Sequence, residues 1–114
     1  MKKATYCCLL LFFLVGGASC EDRVGDLTTF ILVRHAEKAD DGTDDPDLTR
    51  EGEGRALKLA FMLKDTEIDA VYSTDFRRTK NTAKPLAEIR NLEVLPYEPT
   101  KPEEILRIVD QHKG

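Results

Sequence analysis

An arginine and a histidine stand side by side after an apolar segment in the first third of this sequence. The segment Phe30-Ile-Leu-Val33 is built from residues that favour β-strands, and Arg34 and His35 follow it directly. A histidine at a strand end can attack phosphorus, and a neighbouring guanidinium can bind two phosphoryl oxygens at once. The pair alone does not establish this chemistry, because a polar histidine beside a surface arginine is the commoner arrangement.

Two later segments strengthen the interpretation. Leu48-Thr-Arg-Glu-Gly52 precedes a stretch with helical periodicity, and Ser73-Thr-Asp-Phe-Arg-Arg-Thr-Lys-Asn-Thr-Ala83 carries two more arginines. The turn from a strand end into a helix is a natural anion site, because free backbone N–H groups and the helix dipole both favour negative charge there. These three segments, in this order, resemble the histidine phosphatase superfamily, which is also called the phosphoglycerate mutase-like fold.

The resemblance implies a role for the basic residues. His35 matches the nucleophile that becomes a phosphohistidine, and Arg34 matches the group that binds the phosphoryl oxygens beside it. Counting back from Thr82-Ala83 places the second phosphate-binding arginine at Arg78, with Arg77 as its variable neighbour. The alternative for these side chains is a solvated basic face.

Acidic positions complete the candidate site. Glu37 follows the histidine at a spacing common in the family, and it is a candidate for orienting the loop or binding substrate. Family members take a proton donor from a loop of variable position. Glu98, in the turn Pro96-Tyr-Glu-Pro99, is the best placed by chain order, and an exposed loop acid is the competing interpretation. Weaker alternatives are Asp40, Asp41 and Asp75.

Strands that alternate with helices must position these residues. The apolar run 29–33 predicts a strand buried on both faces of a parallel sheet. Asp47 or Thr49 caps a predicted helix that ends near residue 64, and residues 68–72 predict a second strand. A second helix is predicted over 76–89, where Pro85 introduces a kink or a new turn. A third strand over 92–95 and a third helix from Pro102 follow.

This pattern predicts an α/β domain over residues 29–114, a three-layer sandwich with a mainly parallel sheet. Three strands in so short a domain make a thin core. In the family the next strand carries a second catalytic histidine, commonly in a Gly-His-Ser setting, and that C-terminal strand is missing here. His112 lacks a preceding apolar strand and is not assigned this role. We therefore expect an incomplete domain, either a fragment or a truncated product.

Residues 1–20 predict a secretory signal peptide. Lys2 and Lys3 precede an apolar stretch over 7–15, and small residues follow it. Small residues before Cys20 indicate a lipoprotein-type signal with lipidation of that cysteine. Ordinary cleavage near Ala18 is one alternative. An uncleaved anchor is another, although spanning a bilayer takes about 20 apolar residues. Residues 21–28 then form a linker, and we expect a lipid-anchored protein of the cell envelope or periplasm.

Composition excludes several function classes. The net charge is −4 and no basic stripe is present, so no nucleic-acid partner is expected. His35 and Glu37 lack the third ligand of a catalytic metal site, and no metal or organic cofactor is predicted. All three cysteines lie within residues 1–20, which argues against disulfide exchange in the mature domain.

Two functions remain after these exclusions. The first is a phosphatase that transfers a phosphoryl group from a small phosphomonoester to His35. The second is a phosphate-binding or interaction protein that keeps the fold but has lost turnover. Any membrane association is expected through the lipid anchor only, and neither the substrate nor the oligomeric state can be read from the residues.

Overall fold

The structure is a computed structural model that describes residues 27–114. Its elements are α1 (Arg50–Leu63), β1 (Val71–Ser73), α2 (Arg77–Arg90), β2 (Val94–Pro96) and α3 (Pro102–Gln111). The predicted signal peptide, the lipidation at Cys20 and the linker up to residue 26 lie outside the described residues. Within residues 27–114, none of the helices is both long enough and apolar enough to cross a membrane.

The sheet of the described region is a parallel pair. β1 and β2 pair with Val71 opposite Val94 and Ser73 opposite Pro96. Helix α2 connects the two strands and packs against both, which makes a β-α-β unit. The second and third predicted strands are therefore confirmed. Each is short, and β1 begins three residues later than the sequence indicated.

The predicted first strand, over residues 29–33, is not formed. Residues 29–33 form no hydrogen-bonded strand, and their large apolar side chains are exposed, with Leu32 at 92% and Val33 at 52%. A strand buried on both faces needs a ladder partner and a packed layer on each face. In the part of the chain that the structure describes, this segment borders a cavity of about 630 Å³ instead of packed side chains.

Helix α1 starts as the sequence indicates, with Thr49 at its N-cap. The Thr49 hydroxyl accepts a hydrogen bond from the Gly52 N–H at 3.0 Å, which satisfies one of the free donors of the first turn. Ala56 and Ala60 lie on the buried face of α1, which packs against α2. Small side chains at this contact allow the two helices to approach closely.

Helices α2 and α3 end differently. α2 continues through Pro85 as one helix and stops at Asn91, whose φ of 53° is left-handed. α3 begins at Pro102 and buries Ile108. Beyond α3, the carbonyl of His112 accepts a hydrogen bond from the Thr28 hydroxyl, so the last described residues contact the first ones.

Candidate active site

The backbone beside His35 is fixed to α2. Ala36 is 4% exposed and belongs to a small apolar cluster with Leu48 and Ala56. Its N–H donates to the Thr82 hydroxyl at 2.9 Å, and that hydroxyl donates to the Arg78 carbonyl at 2.7 Å. This chain of two hydrogen bonds links the residue after His35 to the first turn of α2.

The next residue is fixed to α1. The Glu37 carbonyl accepts the Thr49 N–H at 2.8 Å. Gly52 lies so close to this peptide that a Cβ built there would be 2.3 Å from the Glu37 carbonyl oxygen. Ala39 N–H donates to the Asp47 carbonyl at 2.7 Å, which also joins this loop to the segment just before α1. Both helices therefore determine where the loop after His35 lies.

The hydrogen bond of the His35 ring determines its tautomer. Nδ1 is 2.7 Å from the Ala36 carbonyl oxygen. A carbonyl only accepts, so the neutral ring carries its proton on Nδ1 and a free lone pair on Nε2. The side chain is half-buried. Nε2 is therefore the nitrogen available to attack an electrophile.

His35 and Arg34 line the cavity of about 630 Å³. Its wall is mainly apolar and includes residues of all three helices. Hydroxyl groups of Ser73, Thr74, Thr79 and Thr82 are among its polar lining. Arg34 also borders a smaller cavity of about 260 Å³ that includes Arg55 and Lys58. The structure thus brings the Arg34-His35 pair to a largely apolar cavity that also contains hydroxyl groups.

The two arginines at the start of α2 have different environments. Arg77 is 55% exposed and donates to the Asp47 carboxylate at 2.6 Å. Arg78 is only 18% exposed, its guanidinium stacks on the Phe76 ring at 4.2 Å, and its Nη1 lies 3.6 Å from an Asp45 oxygen. This Nη1 is buried and has no hydrogen-bond partner among the described residues. Of these two arginines, Arg78 is therefore the one with a buried donor that has no hydrogen-bond partner.

Arg78 does not line the cavity that His35 lines. Thr82, which does line the cavity, connects the two through backbone groups, because its hydroxyl accepts the Ala36 N–H and donates to the Arg78 carbonyl. The backbone after His35 and the N-terminal turn of α2 are therefore joined by one threonine.

Glu37 is directed toward α1. Its carboxylate pairs with Arg55, and the hydrogen bond from that guanidinium is the main reason why the pKa of Glu37 is lowered. Glu37 lines neither cavity. This geometry supports an orienting role for the residue more than direct contact with a bound molecule.

Glu98 lies outside the lining of the His35 cavity. Its carboxylate accepts hydrogen bonds from the Thr100 hydroxyl at 2.8 Å and from the Thr100 N–H at 3.2 Å. These bonds lower the pKa of Glu98, whereas a proton donor needs a raised one. Glu98 does not line the His35 cavity, and neither do the alternatives Asp40, Asp41 and Asp75. The geometry does not support the assignment of Glu98 as proton donor.

His112 also lines this cavity. Its carbonyl accepts a hydrogen bond from the Thr28 hydroxyl, and its Nε2 is 3.0 Å from the Tyr72 hydroxyl. His112 is therefore engaged in a contact between the two ends of the described region.

The role of the loop that carries Asp45 and Asp47 was not predicted from the sequence. The Asp47 carboxylate accepts hydrogen bonds from the Asn81 amide at 2.5 Å and from the Leu48 N–H at 2.8 Å, and it pairs with Arg77. The Asn81 hydrogen bond is the largest cause of the lowered pKa of Asp47. Two aspartates just before Leu48-Thr49 were the available signal, but their partners lie some 30 residues later.

Comparison with known proteins agrees with this geometry. The sequence model of the histidine phosphatase superfamily (branch 1) matches residues 30–100, which is more than half of the chain. The chain therefore belongs to this superfamily, and its helices and parallel strand pair are part of an α/β, phosphoglycerate mutase-like fold.

A relative with a stated activity is also similar. Phosphoserine phosphatase 1 of Hydrogenobacter thermophilus is 40% identical over 75 residues. The match covers 60% of this chain and 36% of the relative, so it spans about a third of that protein's length.

Proposed function

We propose that this chain is a phosphatase that takes the phosphoryl group of a small phosphomonoester onto His35. The observation that carries the proposal is the position of His35. Its Nδ1 is held by the Ala36 carbonyl, and it lines the same cavity as Arg34. A free Nε2 lone pair next to a guanidinium is what attack on a phosphomonoester requires.

The reaction proceeds in two displacements. Nε2 of His35 forms a bond to phosphorus while the bond from phosphorus to the ester oxygen breaks, and the leaving alkoxide takes up a proton from solvent to become the alcohol. Water then attacks the phosphohistidine, which releases inorganic phosphate and restores the imidazole. Arg34, which lines the cavity, binds the equatorial oxygens and stabilises their charge. Arg78 is the second candidate for this role, from a position outside that cavity. The hydrogen bond from Nδ1–H to the Ala36 carbonyl keeps the ring in its reactive tautomer throughout.

Phosphoserine is the first substrate to test. The related phosphatase of Hydrogenobacter thermophilus is named for it. A short phosphomonoester would occupy the cavity beside His35, and the apolar wall would contact the alcohol portion. We therefore expect small phosphomonoesters to be hydrolysed faster than phosphoproteins.

A second candidate function is phosphate binding without turnover. The observation that favours it is the environment of His112, the other histidine of residues 27–114, whose Nε2 is 3.0 Å from the Tyr72 hydroxyl. In this case the protein would accept one phosphoryl group and release it slowly.

One kinetic experiment separates the two candidates. The full chain is incubated with an aryl phosphate and with phosphoserine, and phosphate release is followed from the first turnover onward. A phosphatase gives steady release that His35→Ala abolishes. A burst of one phosphate per chain without further release favours the binding protein. The matched control is His112→Ala, which removes the histidine that contacts Tyr72 and is expected to retain turnover. Turnover that survives in His35→Ala would contradict both candidates.

We also propose that the protein is exported and anchored by a lipid on Cys20. Support comes from the basic start, apolar stretch and small residues of the first twenty positions. Expression of the full chain in a bacterium, followed by fractionation, tests this proposal. Membrane recovery of the wild type and soluble recovery of Cys20→Ser are expected. Equal distribution of the two would contradict lipidation.

A further inference from the structure

Helix α2 begins without a cap of its own. Phe76 occupies the N-cap position and makes no side-chain hydrogen bond to the first turn, and the first turn contains no acidic residue. Both features leave the positive end of the helix dipole uncompensated within its own sequence. Asp45, from the loop before α1, supplies the missing acceptor, because its Oδ1 accepts the Arg77 N–H at 2.9 Å.

The same carboxylate oxygen lies beside Arg78. Oδ1 of Asp45 is 3.6 Å from Nη1 of Arg78, which is an ion pair without a hydrogen bond. The Phe76 ring supports the guanidinium from another direction, at 4.2 Å from its centroid. These two contacts restrict the guanidinium and leave Nη1 without a hydrogen-bond partner among the described residues.

We propose that Asp45 is a positioning residue for Arg78. It caps α2 from a distant loop and holds the guanidinium so that no other acceptor takes the hydrogen bonds of Nη1. The inference rests on the proposed function of Arg78 as a phosphoryl-binding residue. An arginine with a flexible side chain would otherwise lose rotamer freedom each time an anion bound, and advance positioning removes part of that cost.

The contacts distinguish positioning from two other roles. A carboxylate that competed with phosphate would hydrogen-bond to the guanidinium and occupy its donors, but Nη1 has no such bond. A proton donor would hold a free carboxyl group, whereas Oδ1 of Asp45 already accepts the Arg77 N–H. The carboxylate acts as an acceptor for the helix and as a counter-charge for Arg78.

The test measures phosphate binding, which does not require turnover. Dissociation constants for inorganic phosphate are determined by calorimetry for the full chain and for Asp45→Asn, with melting temperatures as a check on folding. Asparagine keeps an acceptor for the Arg77 N–H but removes the charge beside Arg78. We expect binding to weaken about fivefold, the upper end for a partly exposed ion pair. Asp45→Glu keeps the charge and is expected to bind phosphate more tightly than Asp45→Asn.

A double-mutant cycle shows whether the effect passes through Arg78. In the background of Arg78→Ala, the further change Asp45→Asn is expected to alter phosphate affinity by less than about a factor of 1.5. The control Asp44→Asn removes the same charge one residue away, at an exposed position, and is expected to bind phosphate like the wild type.

Three results would overturn the proposal. Tighter phosphate binding by Asp45→Asn would mean that the carboxylate competes with the anion. An undiminished effect in the Arg78→Ala background would mean that Asp45 acts without Arg78. An equal effect of Asp44→Asn would mean that only net charge matters. Failure of the phosphatase proposal is a separate result, because it appears as absent turnover with unchanged phosphate affinity.

Discussion

Gly52 is the position where one methyl group should be most damaging. A Cβ on Gly52 would lie 2.3 Å from the carbonyl oxygen of Glu37 and 3.1 Å from two further backbone atoms of that residue. Backbone atoms cannot rotate away as a side chain can. Gly52→Ala therefore requires α1 and the loop after His35 to separate by about 1 Å to reach an ordinary contact distance.

The expected magnitude follows from two opposing terms. Alanine is favoured over glycine inside a helix by about 1 kcal/mol. Overpacking a well-fitted contact costs about 1–3 kcal/mol, and disturbing the hydrogen bond from Thr49 N–H to the Glu37 carbonyl adds about 1 kcal/mol. We expect Gly52→Ala to lower the free energy of unfolding by about 2 kcal/mol. In a domain of this size the melting temperature then falls by on the order of 10 °C.

Gly54 is a matched control on the same helix. A Cβ on Gly54 would have no atom within 4 Å, so Gly54→Ala should raise the free energy of unfolding by about 0.5–1 kcal/mol. Urea and thermal unfolding of both variants, followed by circular dichroism, measure the difference. We also expect Gly52→Ala to lower kcat/KM, because His35 is two residues from the displaced carbonyl. Equal stability and equal activity of the two variants would refute the reasoning.

Three further predictions concern other contacts. Thr82→Val leaves the buried Ala36 N–H without an acceptor, so we expect a loss of about 1–3 kcal/mol in urea unfolding, largely restored in Thr82→Ser. Leu32→Ala should change the free energy of unfolding by less than about 0.5 kcal/mol, because Leu32 is 92% exposed. Leu86→Ala should lower the free energy of unfolding by about 2–5 kcal/mol, since Leu86 is 8% exposed. Similar losses for the two leucines would show that Leu32 is buried in solution. Hydrogen bonds lower the pKa of Asp47 below its usual 3.8. Ionised Asp47 therefore stabilises the fold fully above about pH 3.8, and this contribution is lost as the pH falls through the lowered pKa. Acid unfolding of the wild type below about pH 4 should therefore be steeper than that of Asp47→Asn, and identical acid titrations would contradict this assignment.

The helices could be predicted because their signals are local. Thr49 caps α1 within one turn, and Pro102 with its two following acids opens α3. The β-α-β order around α2 was likewise visible in the alternation of apolar runs. The motifs were sufficient to indicate the superfamily, and the match over residues 30–100 shows that this assignment was correct.

The first strand could not be predicted from its own residues. The run 29–33 has strand composition, but a strand exists only where another backbone offers a ladder of hydrogen bonds. Within residues 27–114 no such partner pairs with it, and Leu32 is exposed as a result. β-structure depends on distant parts of the chain, so composition alone cannot establish it.

What the sequence determined by itself was which residue types are present and which local elements they form. It identified Arg34 and His35, and it put Arg78 in the first turn of a helix. Only the tertiary structure decided what surrounds them. Asp45 meets Arg78 across 33 positions of the chain, and Gly52 meets the Glu37 peptide across 15. Such contacts arise when two elements pack, and the packing distance determines which atoms can interact.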